Sequence, residues 1–73
     1  MKITRIIGED GPRTELCAGS ACPAFILTES GEAFVQGTRL SADEAAQLSA
    51  PAHETFVKIP VAVLQRLAAQ LDQ

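Results

Sequence analysis

Two apolar runs, Ala24 to Thr28 (AFILT) and Ala33 to Leu40 (AFVQGTRL), lie on either side of Glu29-Ser30-Gly31, and no other feature constrains the fold as tightly. Short runs rich in β-branched and aromatic residues, bounded by turn residues, read as strands. A connection this short makes them an antiparallel hairpin, and Gly31 supplies the positive φ that such loops need. Gly37, inside the returning strand, marks a bulge or a close backbone approach.

The strands carry apolar residues on both faces. Phe25 and Leu27 point one way and Ile26 the other, and Phe34 opposes Val35. A third strand candidate, Thr55 to Ile59 (TFVKI), repeats the pattern, with Phe56 opposing Val57 and Ile59. Both faces of such a sheet therefore need cover. One helix covers one face, so the N-terminal segment, a second helix or another protein has to cover the other.

The remaining segments supply the candidates. Ile3, Ile6 and Ile7 suit a short strand or an extended arm, and Gly8 to Thr14 (GEDGPRT) reads as turn, with Gly-Pro at 11 and 12 as a breaker. Leu16 to Pro23 reads as a loop of small residues around Cys17 and Cys22. Ser41-Ala42-Asp43-Glu44 is a capping box: the serine oxygen accepts a backbone N–H three residues on, and the glutamate reaches back. It opens a short helix of about Ala42 to Ser49 that stops before Pro51. Pro60 suits the first helical position, where its missing N–H costs nothing. Val61 to Gln70 follows as a helix, with Leu64, Leu67, Ala68 and Leu71 at i, i+3, i+4 and i+7 forming the stripe expected on the sheet.

Size limits what this fold can bury. The chain has 73 residues, 47% of them hydrophobic, yet only three are Phe and none is Trp or Tyr. A domain this short buries about 60% of its unfolded surface, so a thin core with apolar surface left over is expected. The net charge is −3, and the six Lys and Arg are scattered. Clustered cations supply most non-specific nucleic-acid affinity and attraction to anionic membranes, so direct nucleic-acid and membrane partners are disfavoured. No run approaches the roughly 20 apolar residues of a membrane span, and the first eight residues do not read as a signal peptide. The expected location is cytoplasmic, where Cys17 and Cys22 would be thiols.

Little in the sequence suggests catalysis. Cys17 and Cys22 form a C-x4-C, and His53 is the only histidine. A structural zinc needs four ligands, and this spacing matches no common zinc knuckle. The C-x-x-C spacing of thiol oxidoreductases is absent as well. Cys22, His53 and Glu54 or Glu44 can be drawn as a nucleophile, base and orienting group, but the sequence does not bring them together. The carboxylates fall mostly in turns and at helix starts, where they cap and solubilise. No phosphate-binding loop, dinucleotide fingerprint or calcium loop is present. The expectation is a chain without enzymatic activity and without a cofactor.

Four short motifs in order suggest a relationship: Cys22-Pro23, the Thr28-Glu29-Ser30-Gly31 turn, Val35-Gln36-Gly37, and His53-Glu54 running to Ile59-Pro60. In this the chain resembles small, largely uncharacterised actinobacterial proteins with a CP, a T-x-x-G turn, a VQG and an HE-x-x-V-x-IP before a leucine-bearing terminal helix. The resemblance covers about residues 17 to 71. Genes of that group often sit beside helix-turn-helix regulators. The resemblance thus implies an accessory protein acting through a partner, and it implies no catalytic residue.

The expected fold is a single α+β domain. It has a small antiparallel sheet of three to four strands, a short capped helix and a C-terminal helix packed on one face. Residues 1–15 form the N-terminal strand or arm, 16–40 the cysteine loop and hairpin, 41–50 the short helix, and 55–73 a strand and the terminal helix. The expected function is a non-catalytic interaction module, either an accessory to a transcription regulator or a homodimer, with Phe25, Phe34, Leu40 and Phe56 as core or interface. The alternative is a thiol or zinc site built from Cys17, Cys22 and His53.

Overall fold

The computed structural model describes residues 1–15 and 23–72. It is an α+β fold: a four-stranded antiparallel sheet with spatial order β2-β1-β3-β4, followed in the chain by two helices. The strands are β1 (Ile3–Gly8), β2 (Gly11–Arg13), β3 (Ala24–Thr28) and β4 (Ala33–Gln36); the helices are α1 (Ala42–Gln47) and α2 (Val61–Gln70).

The hairpin that anchors the sequence reading is present. β3 pairs with β4 in unbroken register from Ala24↔Gln36 to Leu27↔Ala33. Gly31 turns the chain with φ +88°. Thr28 N–H and Thr28 Oγ1 both donate to the Glu32 carbonyl, at 3.0 and 2.9 Å, which locks the loop against the strand end. Gly37 provides the expected close approach. A Cβ there would lie 2.9 Å from the Lys58 carbonyl oxygen and 3.0 Å from Ile59 Cγ1.

The N-terminal segment is a central strand rather than an arm, with β1 lying between β2 and β3. The register shifts between Ile3 and Arg5, so Thr4 is the extra residue of a bulge. The stretch Gly8 to Thr14, expected as turn alone, makes a second hairpin. Gly8 pairs with Gly11, Glu9-Asp10 form the turn, and β2 returns along β1 as far as Ile6↔Arg13. Proline tolerates this position because β2 lies at the sheet edge, where no further ladder needs its N–H.

Three boundaries differ from expectation. The returning strand ends at Gln36 instead of Leu40. The segment Thr55 to Ile59 makes one isolated bridge, Thr38↔Lys58, instead of a third long strand. The next ladder position would pair Gln36 with residue 60, but Gln36 already pairs with Ala24 of β3, and Pro60 has no N–H to give. α1 is two residues shorter than expected. Its capping box is complete, with Glu44 N–H donating to Ser41 Oγ at 3.2 Å and Ser41 N–H to Glu44 Oε1 at 2.8 Å.

α2 packs on one face of the sheet, but through a different stripe. Val63 and Leu67 are buried, whereas Leu64 and Leu71 are exposed. Ile59, Val63 and Leu67 are spaced by four, so once Ile59 has packed against the core the helix continues along that line. Pro60 is the N-cap, one residue earlier than expected, and its carbonyl accepts from Leu64 N–H at 3.0 Å. Polar ties fix the far end of the helix. The Gln70 side-chain amide donates to the Gly8 carbonyl at 2.9 Å, and Arg5 Nη2 donates to the Gln70 carbonyl at 2.8 Å. Among the described residues, the core between sheet and helix is Ile7, Val63 and Leu67, with Phe25, Leu27 and Ile59 packed around them.

Candidate functional site

Register assigns each strand residue to a face, because directly paired residues share one. Ile7, Phe25 and Val35 form a row on the α2 side, alongside Arg5, Leu27 and Ala33. Ile6, Ile26 and Phe34 form a row on the opposite face. Arg13, paired with Ile6, lays its methylene stem across Gly8 on that second face, an aliphatic cover of the kind long cations provide. α1 buries none of its residues, so it is not the cover that the second face needs.

The four residues singled out from the sequence divide accordingly. Phe25 is half-buried and packs against the core. Leu40 is half-buried in the segment leading to α1. Phe34 and Phe56 stand out to solvent, 51% and 43% exposed. Phe56 sits where two open grooves meet, one lined by Ser49, Pro51 and Glu54, the other by Gly37, Arg39 and Val57.

Further exposed apolar side chains accompany them. Val35 lies beside Phe34 on β4, Leu48 follows α1, and Val57 neighbours Phe56; each is more than two-fifths exposed. Apolar alternation flagged Val35 and Val57 as face-forming, but it could not show that Val35 lies on an edge strand and Val57 outside the sheet. Leu64 and Leu71 join this set because the helix turned them outward.

His53 is exposed, in the turn before Glu54. Cys17 and Cys22 lie outside the described residues, as does the expected loop around them except for Pro23. Among the described residues, no three His, Cys, Asp or Glu side chains are grouped to hold a metal ion.

Glu44 is the most heavily engaged carboxylate. Its Oε1 closes the capping box, and its Oε2 accepts from Lys58 Nζ at 2.8 Å. The Lys58 hydrogen bond, followed by the Ser41 backbone N–H, holds its pKa at about 2, below the usual 4.5. Lys58 also makes the bridge to Thr38, so this carboxylate ties the start of α1 to the segment beyond it. Two other ion pairs tie chain ends to the sheet: Arg66 to Glu9 at 2.6 Å and Lys2 to Glu29 at 3.6 Å. No helix among the described residues is long and apolar enough to cross a membrane.

Comparison with known proteins returned no matching family model, no matching curated protein and no matching solved structure.

Proposed function

We propose that this chain is a non-catalytic interaction module of the cytoplasm that works by binding a protein, either a transcription regulator or a second copy of itself. One observation carries the reading. Among the described residues, ten large apolar side chains are exposed, against five buried hydrophobic residues. Single exposed apolar residues are ordinary on any protein. Here they gather at the β4 edge, which Phe34 and Val35 flank on opposite faces, and in the segment that carries Leu48, Phe56 and Val57, and exposed apolar surface on this scale usually marks a site of association.

Charge supports a protein over a nucleic acid as the partner. The net charge is −3, and three of the six cations, Lys2, Lys58 and Arg66, are paired with carboxylates. The regulator half of the reading rests on the resemblance to proteins encoded beside helix-turn-helix regulators.

The test is sedimentation over a wide concentration range combined with binding of a hydrophobic dye to the native protein. The expected result is concentration-dependent association, or a stable monomer that binds the dye. A monomer that binds no dye at any concentration would overturn the reading.

A further inference from the structure

We propose that the outer edge of β4 is a self-association surface, on which the β4 strand of a second copy pairs antiparallel about a two-fold axis through Phe34. This rests on the interaction-module reading and names one partner for it.

The backbone pattern comes first. Thr28 N–H donates to the Glu32 carbonyl, so Thr28 and Glu32 face each other as a hydrogen-bonded pair. Such pairs alternate along an antiparallel ladder. Given the unbroken register, Ile26↔Phe34 and Ala24↔Gln36 are the next two. The N–H and C=O groups of Ala33 and Val35 therefore point away from β3, toward an edge that no other strand occupies among the described residues. The Thr38↔Lys58 bridge lies beyond Gly37, past the end of the strand.

The two edges of the sheet are built differently. β2 is three residues long and reads Gly-Pro-Arg, which combines shortness, a proline and a cation, all devices that discourage edge pairing. β4 reads Ala-Phe-Val-Gln, one residue longer, with neither proline nor cation. Its first three residues are exposed.

Side chains select a second copy as the occupant. With the axis through Phe34, that residue faces the partner's Phe34 as a non-hydrogen-bonded pair, whose Cα atoms lie about 4.5 Å apart. Val35 N–H donates to the partner's Ala33 carbonyl and Ala33 N–H to the partner's Val35 carbonyl, and the axis repeats both. The apolar row Ile6, Ile26 and Phe34 then runs on into the same row of the other copy. Cross-strand aromatic pairs of this kind stabilise sheets. Charge fixes the direction. Glu29 and Glu32 precede β4 and Arg39 follows it. Antiparallel pairing sets the acidic end of one strand beside the basic end of the other, whereas parallel pairing sets like charges together. A two-fold interface of one patch against itself has this self-complementarity. A four-residue edge makes a small interface, so the dimer belongs to the weak class below about 1,200 Å² and forms at micromolar concentrations or above.

Sedimentation equilibrium from micromolar to millimolar protein tests this, with Val35→Pro and Phe34→Lys beside the wild type. Proline at 35 removes an outward N–H and no β3 hydrogen bond. Lysine at 34 sets two like charges on the axis. Each change is applied twice by symmetry, so each variant is expected to raise the dimer dissociation constant more than about tenfold. Circular dichroism should stay that of the wild type. Should Val35→Pro fail to fold, Phe34→Lys decides, because its side chain is half exposed. In the wild type, amide exchange at Ala33 and Val35 should slow as concentration rises. A dimer that survives both variants forms elsewhere and overturns the proposal, leaving the module reading standing. A wild-type monomer that binds hydrophobic dye has the same two consequences, and a monomer that binds none overturns both.

Discussion

Two parts of this small chain are held by different physics. The sheet and α2 share a core in which Ile7 and Leu67 are fully buried and Val63 nearly so. Residues 37–58, from the end of β4 to the bridge, contain no buried residue at all. That segment is held by the Ser41–Glu44 capping box, the Glu44–Lys58 ion pair and the Thr38↔Lys58 bridge. Hydrophobic burial scales with area removed from water, whereas exposed polar contacts contribute little each. The first part therefore sets global stability, and the second can open locally while the first stays folded. The same division leaves Leu48, Phe56 and Val57 exposed on the loosely held part.

Leu67→Ala is the largest blow to the first part. Truncating a fully buried leucine costs about 2–5 kcal/mol, and among the described residues the core has few other members to compensate. Denaturant unfolding followed by circular dichroism should show one transition at a much lower midpoint, with strand and helix signals lost together. Were the helix signal lost first, the shared core would not be what joins α2 to the sheet. Gly37→Ala ranks next and strikes the junction of the two parts. The new methyl would meet the Lys58 carbonyl oxygen at 2.9 Å, a backbone atom that cannot rotate away. Overpacking of this sort costs about 1–3 kcal/mol. Amide exchange at Thr38 and Lys58 should accelerate more than exchange in β1 or β3.

The division also explains what the sequence made legible. The hairpin, the Gly31 turn, the Gly37 approach and the Ser41 capping box were all readable, because each depends on residues close together in the chain. The stripe of α2 was not. Leu64-Leu67-Ala68-Leu71 and Ile59-Val63-Leu67 are both helical spacings through Leu67, and only the packing of Ile59 on the sheet selects between them. β2 was hidden for another reason: Gly-Pro reads locally as a breaker, and it becomes a strand only because β1 offers an edge. The expected strand at Thr55 to Ile59 stopped at one bridge, because beyond it Gln36 is already paired with Ala24 and Pro60 has no N–H. For the candidate surface, Phe34 and Phe56 were identifiable as large apolar side chains. Their exposure was not, since a strand residue at the margin and one at the centre have the same local sequence.

Ser41→Ala sharpens the comparison from the polar side. Losing an N-cap side chain costs about 0.5–2 kcal/mol, and here it removes the acceptor for Glu44 N–H. Because α1 buries nothing, the cost should fall on the local opening of 42–47 and scarcely on global unfolding. Amide exchange at Glu44 and Ala45 should rise while the unfolding midpoint moves little. A midpoint that falls as far as for Leu67→Ala would show that the two parts unfold as one.

Acid should produce the smallest effect, and the most local. Glu44 titrates at about 2 in the folded chain, against an ordinary 4.5, so its ionised form is the one the fold favours. Its contribution is complete above about 4.5 and is lost as the pH falls toward 2. Across that window, protonation takes away the acceptor for Lys58 Nζ and weakens the hold on Ser41 N–H. Exchange in α1 and at Thr38 and Lys58 should then gain on exchange in β1 and β3, once each is corrected for the intrinsic pH dependence of exchange. Glu44→Gln should already show the looser segment at neutral pH, with the acid-dependent difference reduced, and added salt should loosen the wild type in the same direction because the pair is exposed. If acid instead loosened β1 and the 37–58 segment in step, the ion pair would belong to the same cooperative unit as the core, and the two-part description would have to be given up.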